Sequence, residues 1–247
     1  GIQALATAAR FVGRRADVLI ASNEGIAAAA QTLRAGHDGV VMVPNGIGRE
    51  IHNRLQAAAD QDDRVGPARV LYAGALGFYQ GLETLLATAA LLPDVEVLLV
   101  GDGSEREDLE RLAAEADLTN VTFPGYVSRE RLYELYGSAD ILFAQLRDLG
   151  VMEQATLPSQ VFESLSAGKP IVYAGRGITA DFLRRSGAAI IAEPEDPESI
   201  RQSITKLLGD DLLRTEMAIL GRRCAARNIR QDLMAGTADL LRDQLAG

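Results

Sequence analysis

With a single cysteine in 247 residues, the chain can form no internal disulfide, which fits a reducing compartment. Cys224 lies in a helical run and reads as an idle thiol, not a nucleophile. His37 and His52 are the only histidines, too few for a histidine-rich metal centre. Basic residues are scarce: 25 Lys and Arg face 34 Asp and Glu, for a formal charge of −9 and a pI near 4.8. That argues against a nucleic-acid partner, which calls for a basic stripe. The pairs Arg14-Arg15, Arg184-Arg185 and Arg222-Arg223 are scattered and read as solvated helix ends. No run of 18 apolar residues suits a membrane span, and no signal-peptide pattern is read at the start. Three fingerprints are missing as well. No G-x-G-x-x-G follows the first long strand run, Gly168-Lys169 leads into Pro170 where a Walker loop needs Ser or Thr, and G-x-S-x-G is absent.

What is present is periodicity. The chain is 47% hydrophobic, enough for a sizeable core. It starts at Gly1 in a helical pattern without an initiator Met, so an upstream segment is expected. A strand (17–22), a helix stopped by Gly36 and a strand (39–43) make a βαβ piece. Residues 57–68, AAADQDDRVGPA, read as a linker. From Arg69 onward six short β-rich runs alternate with helical patterns: RVLYA, VEVLLV, NVTF, DILFA, PIVYA and AAIIA. That alternation predicts an α/β fold, a Rossmann-like, doubly wound parallel sheet, followed by C-terminal helices over 197–208, 210–227 and 231–245.

Ligands of such sheets bind beyond the carboxyl ends of the strands. The segments there are rich in glycine: Gly74-Ala75-Leu76-Gly77, Gly101-Asp102-Gly103-Ser104 and Pro124-Gly125-Tyr126-Val127-Ser128, with Gln145-Leu146-Arg147 after the fourth run. Glycine there permits close backbone approach to a ligand. The next helix, LPSQVFESLSAG from Leu157, carries Pro158 in its expected first turn. At 100° per residue Leu157, Val161, Leu165 and Phe162 make its buried side, while Thr156, Gln160, Glu163 and, about 60° away, Ser159 share the other. Amides at the start of that helix suit a phosphate, and Glu163 could accept hydrogen bonds from sugar hydroxyls. A solvated helix face capped by Thr156 is the alternative reading.

The order PNG (44–46), LYAGALGFYQGLETLL (71–86), LLVGDGSEREDLERLAAE (98–115), VTFPGYVSRERLYELYGSADILF (121–143), LPSQVFESLSAGKPIV (157–172) and IAEPEDPESIRQSITKLLGD (191–210) resembles the C-terminal half of a glycosyltransferase family 4 enzyme of GT-B fold. The QGL at 80–82 and the LR and LPSQ segments are similar to the bacterial L-fucosamine transferase-like branch of surface-polysaccharide synthesis. The resemblance implies residues 1–56 as the end of the acceptor-side domain, 57–68 as linker, 69–228 as the nucleotide-sugar-binding domain and 229–247 as a helix crossing back.

It also implies a cytoplasmic, retaining transferase that uses a nucleoside-diphosphate sugar and needs no metal or other cofactor. The acceptor is a glycan or lipid-linked sugar, and peripheral membrane association through the first domain is allowed. Glu163 matches the glutamate that binds ribose hydroxyls, Tyr126 and Val127 the chain against the base, and Gly74 and Gly77 the loop facing diphosphate and sugar. Leu157, Pro158 and Ser159 match the helix start that receives phosphate, and Thr156 on the polar face is counted with them as donor-binding. Ala75, Gln80 and Gln160 stand where relatives place cations, and Ala155 where they place a second glutamate, which leaves the diphosphate charge to helix N–H groups, to Arg147 or to a residue of the first domain. Catalytic residues are expected in the first domain. By itself the chain is expected to bind donor without transferring sugar, and to self-associate through its first helices and around Leu240 and Leu241. A GT-B sugar-nucleotide epimerase and a non-catalytic nucleotide-sugar-binding domain remain as alternatives.

Overall fold

The computed structural model describes residues 2–34, 39–60, 65–150, 157–235 and 237–238. The chain divides into two compact units, residues 1–49 with 228–247, and residues 50–227. In the first, α1 (Ile2–Arg15), β1 (Leu19–Ala21), α2 (Glu24–Leu33) and β2 (Val40–Met42) form the expected βαβ piece, with β1 and β2 parallel from Leu19↔Val40 to Ala21↔Met42. Asn23 starts α2 by accepting a hydrogen bond from the Ile26 amide at 2.9 Å. The C-terminal segment returns to this unit: Ile47 N donates to Asn228 O at 3.0 Å, and Arg49 pairs with Asp232 at 2.6 Å.

The second unit is a six-stranded parallel sheet of order β5-β4-β3-β6-β7-β8. Its strands are β3 (Arg69–Ala73), β4 (Glu96–Val100), β5 (Val121–Gly125), β6 (Ile141–Gln145), β7 (Ile171–Ala174) and β8 (Ala189–Ala192). They match the six runs read from the sequence. β6 and β7 are buried along their whole length, and β3 and β4 everywhere but their first residue, as a sheet covered on both faces requires. The helices are α3 (Arg49–Asp60), α4 (Glu83–Ala90), α5 (Arg106–Glu115), α6 (Arg129–Gly137), α7 (Ser159–Ala167), α8 (Gly177–Ser186), α9 (Pro197–Leu208) and α10 (Asp211–Ala226). On one side α4 and α9 pack together, and Leu82, Leu85, Ile200, Ile204 and Leu207 share a core with Val70, Tyr72, Leu99 and Phe143. Elsewhere α10 packs on α7 and α6 on α7.

Two expectations are corrected. Residues 57–60 are not linker but the last turn of α3, whose His52 and Leu55 are buried and whose Ala58 carbonyl lies 2.5 Å from where a Cβ on Gly137 would stand. Residues 61–64 of that expected linker lie outside the described residues. Pro158 is not in the first turn of α7 but ahead of it, extended at φ −65° and ψ 145°. Among the described residues, no helix is long and apolar enough to cross a membrane.

Candidate functional site

Strand order reverses between β3 and β6: β4 and β5 follow outward on one side, then β6, β7 and β8 on the other. This switch point is where an open α/β sheet leaves a crevice at its carboxyl edge. Past the strand ends the ladder continues as loop-to-loop hydrogen bonds. Gly74 N donates to Val100 O at 2.9 Å, Leu76 N to Asp102 O at 2.9 Å and Glu105 N to Leu76 O at 2.9 Å. The two glycine loops therefore lie backbone on backbone. A Cβ on Gly103 would stand 2.2 Å from Leu76 O. A Cβ on Gly74 would stand 2.9 Å from Tyr72 Oη and 3.0 Å from Gln160 Oε1, so this loop faces the first turn of α7. Gly77 faces Gln80 and Ser104.

In α7, Val161, Phe162 and Leu165 are buried, Gln160 and Glu163 are half-buried and Ser159 is exposed, which matches the face read from the sequence. Pro158 supplies no side-chain cap, and its carbonyl accepts from the Val161 amide at 3.1 Å, which leaves the Ser159 and Gln160 amides to face another acceptor. Leu157 and Pro158 are half-buried, and Thr156 lies outside the described residues. The Glu163 carboxylate is hydrogen-bonded to the Tyr136 hydroxyl and lies in the field of Arg129. Burial pushes its pKa up, against the lowering by Arg129 and Tyr136. Tyr136 is itself buried, hydrogen-bonded to Ser164 and raised well above the ordinary tyrosine value by desolvation. Arg129, Tyr133 and Tyr136 recur at helical spacing on α6. That spacing was the signal for these neighbours of Glu163, which the sequence reading missed.

Tyr126 is 88% exposed and Val127 is half-buried, both just past β5, two strands from the switch point. The Arg106 guanidinium packs beside Gly125, whose φ of +73° and missing Cβ leave it room. Arg147, just past β6, has all of its guanidinium nitrogens engaged. Its Nε donates to Phe78 O at 2.6 Å, its Nη1 pairs with Glu195 at 3.0 Å and its Nη2 pairs with Glu83. A phosphate would have to compete with two carboxylates for this cation.

The neighbouring Asp148 makes the parallel link, through Arg176 at 3.1 Å, to Glu193 at 2.7 Å. Glu195 holds a positive φ of 57°, unusual for a residue other than glycine. Asp196 beside it caps α9 by accepting from the Glu198 and Ser199 amides at 3.0 and 3.1 Å. A cavity of about 230 Å³ beyond β7 and β8 is lined by Arg176, Asp181, Arg184 and Glu193, which are paired with one another or with Asp148. Among the described residues, no cluster of three or more His, Cys, Asp or Glu is arranged to hold a metal ion. Cys224 is half-buried and burial raises its thiol pKa.

A six-stranded parallel sheet flanked by helices, with its crevice at the β3/β6 reversal, defines the Rossmann-like C-terminal domain of a GT-B glycosyltransferase fold. The sucrose-phosphate synthase of Thermosynechococcus elongatus superposes on 99% of this chain and 62% of its own, with a TM-score of 0.81 at 20% identity. Anabaena HepE, solved with UDP-glucose, covers 97% of this chain and 67% of its own, with a TM-score of 0.76 at 18% identity. Residues 53–223 match the family described as glycosyl transferases group 1, and the chain belongs to that family. An O-antigen chain mannosyltransferase of Escherichia coli is 27% identical over 202 residues, 79% of this chain and 52% of the relative. The chain spans about half the length of the curated relatives it matches.

Proposed function

We propose that this chain is the donor-binding part of a retaining, metal-independent glycosyltransferase of family 4, which moves a sugar from a nucleoside diphosphate to an acceptor hydroxyl. One observation carries the reading. The switch-point loop at Gly74 faces Gln160 on the first turn of α7, and one turn on, the same helix presents Glu163, held by Tyr136. In this reading Glu163 accepts hydrogen bonds from the ribose hydroxyls, and the α7 amides at Ser159 and Gln160 with the backbone of 74–77 meet the diphosphate. The base lies toward Val127 and Tyr126, and Leu157 and Pro158 shape the approach to α7.

Arg147 serves this site by fastening the loop after β3, since its charge is matched by Glu83 and Glu195. Relatives named for O-antigen and lipopolysaccharide core synthesis support a glycan or lipid-linked acceptor. The L-fucosamine transferase-like branch, and cytoplasmic work at the inner face of a membrane, are the narrower form of the proposal. Because the chain spans half the length of its relatives, acceptor positioning is assigned to residues outside it, so these 247 residues bind donor without transferring sugar. Positioning of that kind can supply roughly 7–11 kcal/mol of a barrier.

The pairing of Arg147, with Ala75, Gln80 and Gln160 where cations are expected, favours one second reading, a nucleotide-sugar-binding domain without transfer chemistry. Titration with nucleoside diphosphates and their sugar conjugates tests donor binding. A labelled-donor assay with candidate acceptors on the longer protein separates the two readings, and efficient turnover by the 247 residues alone overturns the half-site assignment.

A further inference from the structure

Beyond Gly77 the chain makes a 3-10 turn, Phe78–Gln80, that ends at Gly81 with φ 58°. Three carbonyl oxygens of this turn are held by the segment that leaves β6. Phe78 O accepts from Arg147 Nε at 2.6 Å, Tyr79 O from Arg147 N at 2.9 Å and Gly81 O from Gln145 Nε2 at 2.6 Å. The guanidinium carbon also lies 4.7 Å from the centroid of the Phe78 ring. The turn is fastened, yet the rings it carries are not buried. Phe78 is 52% exposed and Tyr79 51%, set edge-to-face with centroids 5.8 Å apart. Two aromatic rings held half in solvent at a ligand-binding edge offer flat apolar surface, with a hydroxyl at the rim of Tyr79.

Their place decides which part of a ligand they meet, and this step rests on the donor-site reading above. With the ribose at Glu163 and the diphosphate between Gln160 and Gly74, the loop runs on from Gly74 through Gly77 to the aromatic turn, toward β6. The group that follows the diphosphate is the donor sugar, and a pyranose ring presents C–H faces of the width of an aromatic ring. We propose that Phe78 and Tyr79 form a stacking platform for the sugar of the donor and select donors whose sugar presents an apolar face to them. The platform would add affinity for the sugar with no added cation, in a site where Arg147 is already paired.

The test is calorimetric titration of the 247-residue chain with UDP and UDP-glucose, ADP and ADP-glucose, and GDP and GDP-mannose, to find the pair that binds. The double variant Phe78→Ala/Tyr79→Ala is then titrated with both members of that pair. The platform predicts that affinity for the conjugate falls about three- to tenfold while affinity for the bare diphosphate is unchanged. Phe78→Leu/Tyr79→Leu, which keeps apolar bulk without a flat ring, should lose conjugate affinity in the same way, whereas Tyr79→Phe should keep it. Unchanged conjugate affinity in both double variants, or an equal loss for diphosphate and conjugate, overturns the platform and leaves the donor site standing. If no pair binds the parent chain, the donor reading falls and the platform with it.

Discussion

The carbonyl oxygen of Gly74 lies 1.9 Å from where a Cβ on Gly101 would stand, so the loops after β3 and β4 meet with no side chain between them. The contact needs glycine at 101 twice over, for space and for its φ of +136°. Gly101→Ala is expected to destabilise the second unit by about 1–3 kcal/mol or more through overpacking, and to weaken nucleotide binding with it. Gly209→Ala is the contrast: its Cβ would be no closer than 3.4 Å to Thr205 O and its φ is −87°, so the change should stabilise by about 0.4–1 kcal/mol. Urea unfolding of both variants checks the pair.

Glu163→Ala should weaken nucleoside-diphosphate binding by roughly 1.5–3 kcal/mol, the range for hydrogen bonds to a charged group. Titration of parent and variant measures it, and equal affinities in folded proteins would remove Glu163 from the site.

The same carboxylate carries a stability cost that depends on pH. Burial raises its folded pKa above the ordinary glutamate value despite Arg129 and Tyr136, so the folded chain holds this proton to higher pH than the unfolded chain. Its contribution is therefore fully favourable below the unfolded value of about 4.3 and is lost as pH rises through the folded one. Glu163→Gln, neutral at every pH, is expected to melt higher than the parent at pH 7 while binding nucleotide less well. The melting difference should shrink as pH falls toward the ordinary carboxylate range.

Arg147→Ala leaves Glu83 and Glu195 without their shared partner and releases the Phe78 carbonyl. A loss of about 1.5–3 kcal/mol is expected for hydrogen bonds to charged groups. Because the guanidinium holds the loop, nucleoside and nucleoside-diphosphate affinities should change by the same factor. A loss confined to the diphosphate would restore the phosphate role that the sequence suggests.

The sheet was legible because each strand is a short apolar or β-branched run between turn residues, as in RVLYA and PIVYA. The polar line on α7 was legible because Gln160 and Glu163 are three apart on one helix. Helix α3 was not: only His52 and Leu55 on it are buried, and its Ala57 to Asp60 end passes without a stop signal into the polar sequence Gln61-Asp62-Asp63-Arg64 that reads as linker. The pairing of Arg147 was not legible for a different reason. Its carboxylate partners lie 64 and 48 residues away, and no local pattern announces a pair that only the sheet brings together. Tyr136 and Glu163 met in the same way, through the packing of α6 on α7.

The three carboxylates of Glu193-Pro194-Glu195-Asp196 serve separate structures: Arg176, Arg147 and the start of α9. Glu195 is the costly one, since it keeps a left-handed backbone that glycine or asparagine would adopt more readily. Its residue type is therefore tied to position 147. In descendants of this lineage, a chain that loses the arginine loses the reason to retain a glutamate there. Drift toward glycine should follow, so the two positions are expected to change together while Asp196, which answers only to its own helix, stays as it is.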